Sequence, residues 1–273
     1  MSEALLNGQR LQSALAFSRG LHYGDGVFRT LLRWQAQFLD WDAHMARLAV
    51  DCAQLHLQTP PLESLRDDAE RLCADHATAV LKVLCIRKSE GRGYAARAGD
   101  CDVLLLRSAA PQHPGIFWTQ GIAAVRSPVT LSSQPALAGA KHLNRLEQVL
   151  ASRDWPEGAG EAIMCDQAQR PICGTRSNLF WVRKGVLYTP DLASCGVAGV
   201  MRGRLLRIAA GLQIETRVVL AAWTELEQAD EAFVSNSLIG IWPLHTLGLR
   251  NWAAPGVLTS QLAQRLNHPQ LSA

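Results

Sequence analysis

One lysine in this chain is placed for amine chemistry. The sequence of 273 residues has only four lysines, so that 23 of its 27 basic residues are arginines. An arginine stays protonated and cannot form a Schiff base, whereas a desolvated lysine can. Lys141 follows the small residues Ala138-Gly139-Ala140 and precedes a periodic apolar segment. This segment could present a reactive amine. On spacing alone, however, the pattern fits an ordinary solvated lysine at the start of a helix better.

The residues after Lys141 predict an amphipathic helix. Apolar side chains recur there at helical spacing, and four of them share one face: Leu143, Leu146, Val149 and Leu150. We therefore expect Lys141 to lie at the start of a helix with one apolar side.

The composition is that of a globular protein and argues against nucleic acid as a partner. Hydrophobic residues make up 48% of the chain and charged residues 19%, which is typical of a folded domain. The net charge is only +3 and the arginines are scattered, whereas nucleic-acid-binding surfaces concentrate positive charge. No apolar run reaches transmembrane length, and the N-terminus has no signal-like pattern. The sequence therefore predicts a cytoplasmic protein without a membrane partner.

The cysteines predict neither disulfides nor a metal site. There are seven, an odd number, and none has CxxC spacing. This pattern argues against a disulfide framework and against a zinc knuckle. We expect most of them to be small core residues in a reducing compartment.

The first hundred residues predict a mixture of helices and strands. A helix is expected over 41–55, where Met45, Leu48, Cys52 and Leu55 form one stripe, and a second over about 62–75, after a Pro-Pro break. Strands are expected over 79–87 and 102–107. The stretch 108–115 is rich in Ala, Pro and Gly and is the best candidate for a linker.

The remainder of the chain continues the mixed pattern. We expect a β-hairpin around the Lys184-Gly185 turn, and helices over about 200–210 and near Glu225. Strands are expected over 116–129, 161–165, 178–183, 186–189 and 215–219, and through Phe233. The prediction is an α+β fold with two domains, a small one over 1–109 and a larger one over 116–273, joined by a linker at 110–115.

Short motifs spread along almost the whole chain resemble those of one enzyme family. In order they are Asn7-Gly8, Tyr23-Gly24-Asp25-Gly26-Val27-Phe28, His44 through Arg47-Leu48, Gly91-Arg92-Gly93-Tyr94, the segment 141–150, Ser177-Asn178-Leu179-Phe180, Gly196-Val197-Ala198-Gly199-Val200-Met201-Arg202 and Ser235-Asn236-Ser237. Their order and spacing resemble the fold-type IV pyridoxal-phosphate enzymes, which include aminodeoxychorismate lyase and the branched-chain and D-amino-acid aminotransferases. The segment 141–150 resembles the lyase more than the aminotransferases.

The resemblance implies a fold, a cofactor and an assembly. The fold would have a small α/β domain and a larger domain with a barrel-like sheet and helices. The cofactor would be pyridoxal 5′-phosphate, and the protein would be a homodimer with its sites near the subunit interface.

By resemblance, Lys141 is the lysine that holds the cofactor aldehyde and then shuttles protons. The other residues that the resemblance assigns to the cofactor are Arg47, Cys173, Gly199, Val200, Met201, Asn236 and Ser237. Gly199-Val200-Met201 opens a predicted helix, whose free N–H groups suit a phosphate. For Arg47 a simpler alternative is a surface pair with Asp51 four residues later, and for Ser237 it is a turn serine.

The resemblance also implies four substrate-binding residues. Arg92 and Tyr94 belong to an Arg-Gly-Tyr loop, and a guanidinium suits the carboxylates of the substrate. Tyr23 and Phe28 flank a Gly-Asp-Gly turn that lines the active site in this family. A loop tyrosine packed between the domains and a core phenylalanine are the alternatives for Tyr94 and Phe28.

The chain departs from the family pattern at Cys173. The family has a glutamate there, which pairs with the protonated pyridine nitrogen, and a neutral thiol cannot replace it. Three interpretations are open: the reaction tolerates the loss, Cys173 is a thiolate with a depressed pKa, or the chain is a degenerate relative. Arg29 and Arg176 also stand where other residue types are usual, as new carboxylate contacts or as solvated arginines.

These observations favour a carbon–oxygen lyase that converts 4-amino-4-deoxychorismate to 4-aminobenzoate and pyruvate, a step in folate biosynthesis. A D-amino-acid or branched-chain aminotransferase of the same fold is the first alternative, but Cys173 argues more against it than against the lyase. A catalytically degenerate protein of the same fold is the second.

Overall fold

The computed structural model describes residues 4–10, 13–88 and 93–271. A 3-10 helix covers Ala14–Phe17. The α-helices are α1 (Arg19–Tyr23), α2 (Trp41–Gln54), α3 (Leu62–Leu72), α4 (Ile116–Thr119), α5 (Leu146–Ala151), α6 (Val200–Gly211), α7 (Trp223–Glu227) and α8 (Val257–Leu266). The strands are β1 (Leu5–Leu6), β2 (Gln9–Arg10), β3 (Gly26–Trp34), β4 (Gln37–Phe38), β5 (Ala79–Arg87), β6 (Cys101–Ser108), β7 (Ile122–Arg126), β8 (Ala159–Cys165), β9 (Pro171–Gly174), β10 (Asn178–Arg183), β11 (Val186–Pro190), β12 (Thr216–Val219), β13 (Glu231–Asn236), β14 (Gly240–Leu247) and β15 (Arg250–Asn251).

The first part of the chain forms an antiparallel sheet of four strands in the order β4-β3-β5-β6. Helices α2 and α3 contribute to one apolar core with this sheet. On α2 the predicted stripe of Met45, Leu48 and Cys52 is buried, because residues three and four apart share one face of a helix. Phe28 on β3 and Lys82 on β5 are neighbours, with the ammonium 4.6 Å from the ring centroid.

The second part of the chain forms a sheet that closes on itself. Its strands run in the order β12-β11-β10-β13-β14-β7-β8-β9, and β9 pairs back onto β10. Six strands therefore form a closed barrel, in the order β10-β13-β14-β7-β8-β9. The pair that closes it is Cys173 of β9 with Asn178 of β10. This architecture confirms the predicted α+β fold with a barrel-like sheet.

Side chains that alternate along the barrel strands pack into two different apolar cores, one on each face of the sheet. On β10, Leu179 and Trp181 pack into one cluster, while Phe180 and Val182 pack into another that includes residues of α6 and α8. The rings of Phe180 and Phe233 are stacked with centroids 5.0 Å apart. The packing of α6 against the barrel fixes where its N-terminus lies.

Two predicted elements are wrong in part. The stretch 116–129 was expected to be a strand, but α4 occupies 116–119 and β7 begins only at Ile122. The indole N–H of Trp118 on α4 donates to the carbonyl of Ile239, 2.8 Å away, and Gly121, with φ +82°, makes the turn into β7.

The helix after Lys141 is also shorter than predicted. It begins at Leu146, and the backbone of 141–143 bonds to β3 instead. A residue whose carbonyl or amide bonds to another strand cannot also complete the helical ladder. Leu146, Val149 and Leu150 do share one face, but that face is exposed.

The two sheets occupy separate parts of the sequence, 26–108 and 122–251. The division into domains at 110–115 stays a prediction. No helix among the described residues has the length and apolar character needed to cross a membrane.

Candidate active site

The backbone of Lys141 is held between the two sheets. Its carbonyl accepts a hydrogen bond from the N–H of Phe28 on β3 (2.9 Å), and its N–H donates to Asp51 Oδ2 on α2 (3.1 Å). Two residues earlier, Gly139 bonds through its N–H to Gly196 and through its carbonyl to Ala198. Lys141 therefore lies on a segment that β3, α2 and the loop before α6 hold in place.

Asp51 is the centre of a buried charge network. It is fully buried, and its carboxylate pairs with the guanidinium of Arg29, which is 2% exposed. Arg47 Nε lies 3.1 Å from the other carboxylate oxygen, and Arg47 Nη2 donates to the carbonyl of Gly139 (2.8 Å). Asp51 thus connects β3, α2 and the lysine segment.

The Lys141 amine is prepared to be a nucleophile. Burial lowers its pKa to about 8, helped by the positive charges of Arg145 and Arg29 and opposed by Asp51. Its Nζ lies 4.6 Å from the ring centroid of Phe28. A lysine with a lowered pKa has a larger neutral fraction near neutral pH, and the neutral amine is the form that attacks a carbonyl.

A cavity of about 220 Å³ opens at Lys141. Its lining includes four cationic side chains and, among the described residues, no carboxylate: the cations are Arg29, Lys141, Arg145 and Arg176. A concave site with this charge suits an occupant that carries several negative charges.

One end of the cavity is suited to a phosphate. Gly199 is the N-cap of α6, and Gly199, Val200 and Met201 all line the cavity. A Cβ at Gly199 would lie 2.2 Å from Asn178 Oδ1, so that only glycine fits there. The hydroxyl of Ser235 is buried without a hydrogen-bond partner in the described structure. Free N–H groups at a helix N-terminus and an unpaired hydroxyl are the donors that a phosphate needs.

Three other predicted cofactor residues have different surroundings. Asn236 and Ser237 line the cavity, but the Asn236 side chain holds its own turn, accepting from the N–H groups of Leu238 and Ile239. Arg47 lies outside the lining and pairs with Asp51. The sequence left open a surface pair of these two residues, but Asp51 is fully buried. Its role in phosphate binding stays a prediction.

Cys173 lines the cavity as a neutral thiol. It is 6% exposed, and burial raises its pKa to about 12, with Cys195 and Glu161 adding to the shift and Arg145 opposing it. The interpretation of Cys173 as a thiolate requires a depressed pKa, and the shift has the opposite direction.

The carboxylate of Glu161, which lies on the strand beside Cys173, accepts hydrogen bonds from neighbouring protein groups. Glu161 is 1% exposed and accepts from Thr175 N–H (3.0 Å), Thr175 Oγ1 (2.6 Å) and Ser177 Oγ (2.7 Å). It lies outside the cavity lining. Its bonds fix the turn between β9 and β10 and do not replace the acid that the family has at position 173.

The predicted substrate residues do not all meet at the cavity. Phe28 contacts the Lys141 amine, whereas Tyr23 and Tyr94 contact each other, with ring centroids 5.3 Å apart. Tyr94 is 87% exposed, and both tyrosines lie outside the lining of the cavity. Arg92 lies outside the described residues. The substrate roles of these residues stay predictions.

Sequence reasoning missed several residues that line the cavity. They are Thr30, His44, Arg145 and Gln148. Burial lowers the pKa of His44 to about 3, so this histidine is neutral. His44 and Arg145 lay inside quoted motifs, but only the fold shows that their side chains point to the cavity. Arg29, whose role was left open, is neither solvated nor free, because Asp51 pairs with it.

Comparison with known proteins identifies the family. A family model described as amino-transferase class IV matches residues 26–247. The chain belongs to the class IV amino-transferase family. This match confirms the family that the motifs predicted.

Two class IV relatives resemble this chain along most of its length. The aminodeoxychorismate lyase of Vibrio harveyi is 33% identical over 229 residues, which is 83% of this chain and 84% of that protein. The crystal structure of 4-amino-4-deoxychorismate lyase from Pseudomonas aeruginosa superposes with a TM-score of 0.86 at 37% identity, covering 95% of this chain and 96% of that one.

A third structure shares the fold at lower identity. It is a hypothetical aminotransferase from Mycobacterium tuberculosis in its PLP-bound form, with a TM-score of 0.77 and 21% identity, covering 96% of this chain and 95% of that one.

Asp51 is expected to be essential for stability. Asp51→Asn leaves two arginines at a buried position without their counter-charge, and we expect it to lower the free energy of unfolding by about 3–5 kcal/mol. Urea denaturation followed by circular dichroism measures this loss. Adding Arg29→Met should recover part of it, because the two residues form one network.

Asp68→Asn is the matched control for this prediction, because its pair with Arg71 is exposed and such pairs contribute little. Equal losses for Asp51→Asn and Asp68→Asn would contradict the central role of Asp51.

The lowered pKa of Lys141 predicts a pH profile. With pyridoxal phosphate and borohydride, the extent of covalent labelling at Lys141 in a short reaction should rise with pH and reach half its maximum near pH 8, instead of near the ordinary lysine value of about 10.4. Arg145→Gln should move the midpoint upward, because it removes a positive charge that disfavours protonation. Mass spectrometry of the labelled peptide gives the profile, and a midpoint near 10 in both proteins would refute the assignment.

Proposed function

We propose that this protein is a lyase that converts 4-amino-4-deoxychorismate to 4-aminobenzoate and pyruvate in folate biosynthesis. The observation that carries the proposal is the Lys141 amine, with its pKa lowered to about 8, in a cavity lined by four cations and, among the described residues, no carboxylate. The similarity to the lyases of V. harveyi and P. aeruginosa supports this substrate over others.

The cofactor of the family is pyridoxal 5′-phosphate, and the cavity has groups that fit it. Gly199, Val200 and Met201 at the start of α6 would hold its phosphate together with Ser235 and Ser237, and Lys141 would hold its aldehyde. When bound, the cofactor supplies an aldehyde that links to amines and a ring that accepts electrons.

Lys141 is the residue that we assign to proton transfer. It would accept the proton from the ring carbon of the substrate that bears the amine, while the C–O bond to the enolpyruvyl group on the adjacent carbon breaks. The group that leaves is the enolate of pyruvate, which takes up a proton at its methylene carbon to give pyruvate. The ring becomes aromatic, and this aromatisation drives the step. A general base works best when its pKa is near the operating pH, and the lowered pKa of Lys141 satisfies this condition.

The neutral thiol at position 173 supports a lyase over an aminotransferase. Amino-group transfer has to store electrons in the cofactor ring and then return a proton to the cofactor, and a carboxylate that keeps the ring nitrogen protonated assists both steps. Cys173 cannot supply that negative charge, because its thiol stays protonated and a thiol donates weakly. An elimination that ends in aromatisation depends less on a charged group beside the ring nitrogen. We therefore favour the interpretation in which the lyase reaction tolerates the loss.

We also propose that the protein forms a homodimer through α5. Leu146, Val149 and Leu150 are 75%, 57% and 49% exposed and lie on one face of this short helix. An apolar face of this kind is typical of a surface that a second subunit covers. It lies five residues from Lys141, which would put the two active sites near the interface.

The proposed reaction is tested by measuring 4-aminobenzoate formation from aminodeoxychorismate in the presence of pyridoxal phosphate. We expect product above the uncatalysed background from the natural protein, and a loss of about 10³-fold or more in Lys141→Ala. Lys184→Ala, in the turn between β10 and β11, is the control and should keep full turnover. Turnover that survives in Lys141→Ala would refute the role of the lysine.

Substitutions of Cys173 separate the two class IV reactions. Cys173→Ser keeps a neutral group and should keep lyase activity, whereas Cys173→Glu should gain amino-group transfer from D- or branched-chain amino acids. An amino-transfer activity of the natural protein that exceeds its 4-aminobenzoate formation would favour the aminotransferase. Failure of the natural protein and of Cys173→Glu in both assays would favour a degenerate relative.

Light scattering during size-exclusion chromatography tests the homodimer. The natural protein should have twice the chain mass of 29.8 kDa, and Leu146→Glu combined with Val149→Glu should shift it to one chain mass. Leu249→Glu, at a fully exposed leucine elsewhere, is the control and should not change the mass. A dimer that persists in the α5 variant would place the interface on another surface.

A further inference from the structure

The four cations of the cavity do not all have a counter-charge within the protein. Arg29 is paired with Asp51. Lys141, which also lines the cavity, is the residue to which we assign the bond to the cofactor and the proton transfer. Arg145 and Arg176 have no carboxylate within ion-pair distance among the described residues. Both guanidinium groups face the cavity and are therefore available to an occupant with two anionic groups.

Arg145 is held in position by the protein. Its Nε donates to the carbonyl of His142 (2.9 Å), which leaves the two terminal nitrogens of the guanidinium without a hydrogen bond in the described structure. Its side chain lines the same cavity as Lys141, and its positive charge is the largest single charge that lowers the pKa of that amine. Burial also lowers the pKa of Arg145 itself, and a desolvated cation binds an anion more strongly than a solvated one.

Gln148 adds a second unpaired group next to Arg145. Both residues line the cavity, and both also line a neighbouring cavity of about 260 Å³. The side-chain oxygen of Gln148 is buried without a hydrogen-bond partner in the described structure. A buried polar group in this state is uncommon. An amide oxygen accepts hydrogen bonds, so an N–H or O–H group of a ligand would satisfy it, and a carboxylate would not.

Arg176 is placed against aromatic rings. Its Cζ lies 5.8 Å from the ring centroid of Trp155 and 5.9 Å from that of Trp242, and its Nη2 donates to the carbonyl of Gly160 (2.9 Å). The side chain is exposed, while the residue on each side of it is buried. These contacts orient one edge of the guanidinium and leave the other available for a carboxylate.

We propose that Arg145 and Arg176 bind the two carboxylates of the substrate, with Arg145 nearer to Lys141. The assignment rests on the proposed lyase function, because it takes a dicarboxylate as the substrate. The cofactor phosphate would be bound at the start of α6, so the two arginines stay available to the substrate. If these two arginines bind both substrate carboxylates, the exposed Tyr94 is not required to bind a carboxylate in the site of its own subunit.

The experiment uses chorismate as a probe. Chorismate carries the same two carboxylates as aminodeoxychorismate but a hydroxyl in place of the amine, so it can occupy the site without reacting with the cofactor. Its dissociation constant from the cofactor-loaded protein is measured by isothermal titration calorimetry for the natural protein and for Arg145→Gln, Arg176→Gln and Arg183→Gln. Arg183, at the end of β10, is a half-buried arginine outside the cavity lining and serves as the matched control.

We expect Arg145→Gln and Arg176→Gln each to weaken chorismate binding by about 10- to 100-fold, the range for a lost hydrogen bond to a charged group. Arg183→Gln should leave the binding unchanged. The KM for aminodeoxychorismate should rise in the same two variants, and bound cofactor, measured by its absorbance, should not decrease.

Two results would overturn the assignment, and they differ in what they say about the lyase. Chorismate binding that is unchanged in Arg145→Gln and Arg176→Gln, in a protein that does form 4-aminobenzoate, would refute the arginine pair alone. Absence of chorismate binding together with absence of 4-aminobenzoate from the natural protein would refute both the pair and the proposed function.

Discussion

The buried carboxylate of Asp51 is the interaction on which the arrangement of the site depends. It lies on α2, pairs with Arg29 of β3, contacts Arg47 one turn away and accepts a hydrogen bond from the backbone of Lys141. A carboxylate with no exposure to water is unfavourable unless its oxygens are compensated. The segments that supply the compensation are therefore held together, and the lysine that they surround has a fixed position between the two sheets.

The charge of the cavity follows from that arrangement. Asp51 is turned toward Arg29 and the lysine backbone, so its negative charge offsets buried arginines and only partly counters the desolvation of the Lys141 amine. The groups that face the open volume are then predominantly cationic. Such a cavity suits anionic ligands, and its positive charges increase the neutral fraction of the lysine amine.

The surroundings of Cys173 favour an uncharged side chain at the edge of the cavity. It forms the pair with Asn178 that closes the barrel, and it belongs to an apolar cluster with Ile172 and Cys195. Burial there favours an uncharged side chain, as the raised pKa of the thiol shows. Glu161 remains occupied with the neighbouring turn. The cavity therefore has the Lys141 amine and the N-terminus of α6 in its lining, with a neutral thiol at position 173.

The sequence by itself determined the elements with a clear local pattern, and its motifs predicted Lys141 as the reactive residue. The stripe on α2, the strand from Ala79 to Arg87 and the hairpin at Lys184-Gly185 follow from spacing and turn chemistry over a few residues, and the order of the motifs identified the family. Only the tertiary structure decided the charge network, because the pair of Arg29 with Asp51 joins residues 22 positions apart and the bond from Lys141 to Asp51 spans 90. The start of the helix after Lys141 was decided in the same way. Local periodicity predicts a helix from that lysine, but the backbone there bonds to β3, and the competition between a local and a distant hydrogen bond cannot be read from spacing alone.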